Sequence, residues 1–413
     1  MTPLVTPLAV DGGLVVAGNR WDLVPDGALD DPTSVTVVVT HFDDERRLAL
    51  VLAALERQDH PAELTHVVVA DDGSPTPPTM PVWSRPSPRL VRQEDLGFRA
   101  AAARNVGAAA GDGEVLVFLD GDTVPSLDFV RRLSAWPAAL PDALAVGTRH
   151  HVDLNRWDTR RLVAWLDGSE PAPSALTDPA WLDDGYRASR SLLDADDHSY
   201  RFVISAVMAC SRRLFDELGG FDERFVGYGG EDWELAFRAA NAGAVLVHEP
   251  RAVAWHDGPD QGVRAPDPEA KALERHRLDE LVPVGRERPR RGARYVDVVV
   301  SDVWPGAATE PPTADVLARA RFHVERLAPV ELTDDAMVQL IDPLERRAAG
   351  EVTVRAGGRI VVRATSTRAL RRSTRWSEGD PRALIGPLFG VIDIDAHEIG
   401  IDVDALNRAG GQR

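Results

Sequence analysis

VLVFLDGD, residues 115–122, is the stretch whose reading decides the fold. Five apolar residues in succession suit a central parallel strand covered on both faces. The run stops at two carboxylates, Asp120 and Asp122, separated by Gly121. Ligands in open α/β sheets sit just beyond the carboxyl ends of such strands. Two acids there are costly unless something cationic meets them, and a divalent metal carrying a diphosphate would do so. An Asp-Gly-Asp turn chosen for its backbone geometry accounts for the same letters. The surrounding sequence has to decide.

Working outward, the pattern is a βα alternation. Upstream, SVTVVVT (34–40) reads as a strand and 44–57 as a helix with Leu48, Val51, Leu52 and Leu55 on one side. LTHVVVA (64–70) is a second strand, ending in Asp71, Asp72, Gly73 and Ser74. Residues 76–88 are proline-rich and read as loop, and 97–110 as helix. Strands separated by helices imply a doubly wound sheet. Downstream, residues 150–200 read as irregular and polar, with Trp157, Trp165 and Trp181. Apolar order resumes over 202–210 and 221–240, followed by a strand at 244–248.

The resulting division has four parts. Residues 1–32 form a short β extension, and 33–260 the main α/β domain. A Pro-, Arg- and Glu-rich linker spans 261–292, and 293–413 form an accessory α/β domain. Within the last, strands are expected over 295–300 and near 351–364 and 388–394, with a helix near 314–327.

Composition narrows the function. At 413 residues the chain is long enough for two or three cores. No stretch approaches ~18 uninterrupted apolar residues, so no membrane span is expected. MTPLVTPLAVDGG has no basic flank before a long apolar core, so it does not read as a secretory signal. Cys210, the single cysteine, excludes an internal disulfide framework and suits a reducing, cytoplasmic setting. A formal charge of -18 argues against a general nucleic-acid binder. Lys271 is the sole lysine, a bias without functional content.

Four chemistry-bearing clusters recur in order: Thr40, His41, Phe42 and Asp43; Asp71 and Asp72; Asp120 and Asp122; and FVGYGGEDWELAFR (225–238). With VVVADDGS, GFRAAAARNVGAAA, FLDGD, GGFDERFVGYGGEDWELAFR and AWHDG, the chain resembles the family-2 glycosyltransferases over roughly residues 34–258, especially their galactosyltransferase-like branch. The resemblance implies the GT-A fold, a Rossmann-like, mostly parallel mixed sheet flanked by helices. It also implies a nucleotide-sugar donor, UDP-linked by family, and Mn²⁺ or Mg²⁺. The acceptor could be a saccharide, a lipid-linked sugar, a peptide or a small molecule.

Residue by residue, the resemblance puts Thr40, Phe42, Asp71, Asp72, Arg99 and Arg104 around the donor. Asn105, Asp120, Gly121, Tyr228 and Gly230 complete that set. A carboxylate at Asp72 or Asp71 can accept from a base or ribose, while an Asx-type turn explains the same Asp-Asp-Gly-Ser. Arg104 would offset diphosphate charge, or face solvent on its helix. Asp122 is the metal ligand, with Asp120 on the ribose or in the metal shell. His256 is the third ligand, 256 − 231 = 25 positions after Glu231, a spacing shared with the polypeptide N-acetylgalactosaminyltransferases. Imidazole beside carboxylate suits Mn²⁺ better than Ca²⁺.

Asp232 is the candidate general base of an inverting transfer, and Glu231 could hold acceptor hydroxyls. Related retaining enzymes usually carry Asn where this chain has Asp232. The same Gly-Gly-Glu-Asp also reads as a helix start. Tyr228 could stack on a sugar face, and Trp233 reads as core. Met208, Ala209 and Cys210 take the place of the small residues that line the donor sugar. Cys210 has no histidine within a few positions to activate it. Two other classes fit parts of the pattern: a sugar-phosphate nucleotidyltransferase, and a non-catalytic nucleotide-sugar or carbohydrate-binding module. The first would need a Gly-rich basic loop where THFDDERR stands. The second would be signalled by loss of Asp122, Asp232 or His256, and all three are present.

Overall fold

The computed structural model describes residues 3–259, 272, 275–278, 281–282, 297–305, 307 and 320–402. A hairpin of β1 (Leu8–Val10) and β2 (Gly13–Val15) comes first. Nine strands then share one sheet. They are β3 (Val35–His41), β4 (Thr65–Asp71), β5 (Arg89–Arg92), β6 (Val115–Asp120), β7 (Thr123–Pro125), β8 (Ala143–Asp153), β9 (Ser174–Ala175), β10 (Val207–Ser211) and β11 (Val245–Asp257). The order is β5-β4-β3-β6-β10-β8-β11-β7, with β9 on β8. From β5 to β6 the ladders are parallel. β10 then runs antiparallel to both neighbours, β8 and β11 are parallel, and β7 lies antiparallel on β11.

The apolar run of 115–119 is wholly buried at the sheet centre, which is why it needs no alternation. Helix α1 (Glu45–Leu55) starts where Asp44 accepts from the Arg47 amide at 3.0 Å, an N-cap that satisfies one orphan donor. Helix α2 (Ala100–Ala109) is alanine-rich because it lies tight on the sheet. A Cβ on Gly107 would stand 2.4 Å from a Val38 methyl. Helix α3 (Phe129–Ala139) covers the sheet against β8, β10 and β11.

Residues 150–200 are more regular than the sequence suggests. They hold the end of β8, then β9, with helices α4 (Thr159–Leu166) and α5 (Ala180–Ala188). In α5 the inward positions are Leu182, Gly185 and Tyr186, so the i, i+3, i+4 signal is carried by one leucine. A Cβ on Gly185 would run into the Phe202 ring. Helices α6 (Arg212–Leu218) and α7 (Glu231–Asn241) follow.

The C-terminal part has its own sheet of β12 (Val298–Asp302), β13 (Phe322–Arg326), β14 (Glu351–Ala356), β15 (Arg359–Ser366) and β16 (Val391–Asp395), ordered β12-β13-β15-β14-β16. Helices α8 (Asp334–Glu345), α9 (Thr367–Trp376) and α10 (Arg382–Phe389) accompany it. The helix expected near 314–327 is corrected by β13. Phe322 and Val324 are buried while His323 and Glu325 are only partly covered, a period of two. Residues 308–319 and most of the 261–292 linker lie outside the described residues.

The expected units touch closely. Val15 of the N-terminal hairpin sits in one apolar cluster with Ala369, Ile385, Leu388 and Phe389. Arg372, fully buried, donates to the carbonyls of Val16, Gly18 and Gly243 and so pins three segments together.

Candidate functional site

The site gathers where β3 and β6 end. Thr40 Oγ1 donates to Asp120 Oδ1 at 3.1 Å. Gly121 lets the turn after β6 pass close to the end of β3, since a Cβ there would lie 2.4 Å from the Thr40 carbonyl oxygen. Arg104 of α2 reaches Asp120 and Glu231, each at 2.9 Å. That guanidinium is 4% exposed, and although burial opposes its charge, the two carboxylates raise its pKa above the ordinary value. Arg104 therefore ties the end of β6 to the start of α7. Its charge is committed to the two acids, where the sequence suggested a diphosphate.

Helix α7 is aimed by glycine. Gly227, Gly229 and Gly230 all have positive φ, and Gly230 is the left-handed N-cap. Glu231 and Asp232 fall in the first turn, where acids complement the helix dipole. Glu231 is buried, and among the described residues its Oε2 has no hydrogen-bond partner. Asp232 is half-buried; desolvation, reinforced by the Glu231 charge, raises its pKa to about 7. A carboxylate poised there can take a proton near neutral pH.

His256 reaches the site through β11. The pairing of β11 with β7 sets His256 opposite Thr123, and His256 Nδ1 lies 3.2 Å from Asp122 Oδ1. Burial works against the Asp122 charge, but His256, Arg47 and Thr123 hold its pKa below the usual carboxylate range. The neighbouring Asp257 fixes the strand end through Arg46, Arg47 and the Leu154 amide. The expected trio of Asp120, Asp122 and His256 is brought together only as a pair. Asp120 Oδ1 is taken by Thr40 and Arg104, and among the described residues no three His, Cys, Asp or Glu side chains converge as a metal cluster.

The donor-side residues divide. Asp71 is buried and closes its own turn, accepting from the Ser74 amide at 3.1 Å and pairing with Arg92. Asp72 accepts from Gln93 and from the Arg99 amide at 2.7 Å, which fixes the start of α2. Asn105 is pinned to the loop before α7, bonding both backbone groups of Phe221 at 2.9 Å. The Arg99 side chain reaches only to 4.0 Å from Glu223. Phe42 and Tyr228 are exposed, and the Tyr228 ring lies 6.1 Å from that of Phe98.

Met208 is a correction: it is fully buried in β10 opposite Phe118, inside the core and not on a pocket wall. Burial pushes the Cys210 thiol up to about 12, which makes it inert. Trp181 is given no role of its own by the sequence within the 150–200 stretch. It is exposed on α5 and packs edge-on at 6.1 Å against Trp233, which is half-buried beside Asp232. Three tryptophans in the 150–200 stretch were the signal available.

Comparison with known proteins follows the same segments. Residues 36–219 match the family described as glycosyl transferase family 2, and 189–252 match the one described as N-terminal domain of galactosyltransferase. The chain is 31% identical over 222 residues to validoxylamine A glucosyltransferase of Streptomyces hygroscopicus subsp. limoneus, across 51% of this chain and 49% of the relative. It is 27% identical over 253 residues to hyaluronan synthase of Pasteurella multocida, across 57% of this chain and 26% of that protein. The chain thus spans at most about half the length of these relatives. Among solved structures, a mannosyltransferase from Pyrobaculum calidifontis in complex with GDP-Man and Mn²⁺ aligns with a TM-score of 0.42 at 19% identity, covering 65% of this chain and 69% of that one.

Proposed function

We propose that this chain, whose residues 36–219 match the glycosyl transferase family 2 model, moves a sugar from a nucleotide-diphosphate donor, UDP-linked, to an acceptor hydroxyl with inversion. The observation that carries the reading is Arg104, which holds Asp120 at the end of β6 and Glu231 at the start of α7 at 2.9 Å each. It thereby sets Asp232 beside the strand end where a donor would lie.

Asp232 is the general base, taking the acceptor proton as the hydroxyl oxygen attacks the anomeric carbon. Its pKa of about 7 leaves a working fraction of base at neutral pH. Glu231 Oε2, buried and without a partner among the described residues, is the acceptor for a substrate hydroxyl. Trp181 and Trp233 offer an apolar wall to the acceptor, whose class is a saccharide, lipid-linked sugar, peptide or small molecule.

Asp122 and His256 would hold Mn²⁺ or Mg²⁺. Their facing atoms, a carboxylate oxygen and an imidazole nitrogen 3.2 Å apart, are of the kind Mn²⁺ accepts. Such an ion, when bound, would supply Lewis-acid stabilisation of the leaving diphosphate.

The test is release of nucleotide from a panel of nucleotide sugars, with Mn²⁺ and with chelator. Metal-dependent release from at least one donor is expected. No release from any donor, with nucleotide binding retained, would replace this reading with a binding module. We also propose that 33–260 form the transferase unit and 293–413 an accessory one.

A further inference from the structure

β8 and β11 run parallel at their ends, with His151 directly opposite His256. Paired strands lie ~4.8 Å apart, so the two side chains leave one face as neighbours. Their rings meet edge-on, with centroids 5.0 Å apart and planes at 71°. That is one of the arrangements aromatic quadrupoles favour. His151 is 1% exposed, and its Nδ1 stands 3.2 Å from Asp178 Oδ1. The same oxygen accepts from the His151 amide at 2.7 Å, while Asp178 Oδ2 faces His150 Nδ1 at 2.7 Å.

Burial opposes the Asp178 charge, but His150 and the His151 amide outweigh it and hold its pKa below the ordinary value. An ionised carboxylate only accepts, so Asp178 fixes the His151 ring with a proton on Nδ1. Packing alone does not call for an imidazole here. A leucine or phenylalanine would fill the same buried space without desolvating a polar ring. What the imidazole adds is the tether to Asp178. That carboxylate arrives by way of β9, which lies antiparallel on β8 with Ala175 opposite Val152. The Leu176 amide then donates to the His151 carbonyl at 2.8 Å. Two residues past Asp178, α5 begins, with Trp181 in its first turn.

We propose that His151, clamped by Asp178, is a positioning residue whose ring edge holds the His256 imidazole in the rotamer that faces Asp122. The proposal rests on the reading of Asp122 and His256 as the metal pair. An imidazole on a strand has several staggered positions open to it. The one adopted brings Nδ1 within 3.2 Å of Asp122. Without His151 beside it, the His256 ring would spend part of its time turned away from that carboxylate. The segment that leads to Trp181 thereby becomes part of the support of the metal pair.

Mn²⁺ with UDP is the probe, titrated calorimetrically into the full chain. His151→Leu and Asp178→Ala should each weaken Mn²⁺ binding by ~10-fold, the scale on which outer-shell partners act. UDP binding in chelator should stay at the parent value. Asp178→Asn, which keeps an oxygen for the His151 ring and amide, should recover most of the loss. A purely structural role would lower the melting temperature and leave the Mn²⁺ affinity of the folded protein unchanged. A metal-free readout stands beside this one. In side-chain imidazole NMR spectra, the His256 signals, assigned by their loss in His256→Gln, should shift in Asp178→Ala, although Asp178 bonds to His150 and His151. Unmoved His256 signals, or parental Mn²⁺ affinity in folded Asp178→Ala, would overturn the proposal. If the parent chain binds no Mn²⁺, the metal reading falls, and the His256 spectra alone decide whether His151 orients that ring. If His151→Leu does not fold, Asp178→Ala carries the test, since that side chain is 26% exposed.

Discussion

His256 Nδ1 lies 3.2 Å from Asp122 Oδ1, although 134 residues separate them in the chain. A three-residue strand makes the meeting possible. β7 leaves the Asp-Gly-Asp turn and pairs antiparallel with the end of β11, so the carboxylate and the imidazole become neighbours across one ladder. The β11 ladder slips between His248 and Val253, around Pro250, which cannot donate to a ladder.

This pairing makes the two side chains one functional unit. Asp122→Ala and His256→Ala should each weaken Mn²⁺-dependent nucleotide binding by ~10-fold or more, the scale on which metal sites respond to a lost partner. The double variant should lose less than the sum of the two. Calorimetry with Mn²⁺ and nucleotide diphosphate measures this, and unchanged affinity in either variant would remove that residue from the site.

Asp232→Asn keeps the shape of the α7 start and removes the base. Turnover should fall by ~10²-fold or more, while nucleotide affinity changes little. Initial rates and a binding isotherm on the same preparation separate the two effects. Full turnover in the variant would assign the proton transfer elsewhere.

The raised pKa of Asp232 has two signed consequences. Activity should rise as pH increases through about 7, because the base form is the working one. Stability runs the other way. A carboxyl that holds its proton more tightly when folded stabilises the fold fully below its unfolded pKa of ~3.9, and that contribution is lost as pH climbs through about 7. Against Asp232→Asn, the unaltered protein should therefore lose relative stability between those limits. Urea midpoints at pH 4 and pH 8 test it, and a constant difference would mean that burial does not govern this group.

Gly121→Ala probes the close approach of the turn after β6 to the end of β3. The added Cβ would press on the Thr40 carbonyl at 2.4 Å, a backbone atom with little freedom to move. A loss of ~1–3 kcal/mol is expected from overpacking. The Thr40 to Asp120 hydrogen bond should loosen with it. Denaturant unfolding gives the first quantity, and a melting curve unchanged from that of the parent chain would show that the turn adapts.

The central strands were legible because their signal is local. Residues 115–119 and 35–39 are buried on both faces, so composition alone marks them. The helices that flank them show their apolar side at i, i+3 and i+4. Elsewhere the local signal was thin or ambiguous. α5 hides behind Gly185, and β13 has only five residues with which to display a period of two. Met208 matched the family pattern by its place in the chain, yet β10 is buried along its whole length and Met208 with it.

Sequence alone determined the central sheet and the carboxylates that terminate its strands, because burial and turn chemistry act over a few neighbouring residues. Tertiary structure alone decided what those carboxylates do. It gave Glu231, 127 positions on, to Arg104 and Asp122 to His256. Charge pairing is settled by distances of about 3 Å, and only the folded chain sets distances between residues more than a hundred positions apart.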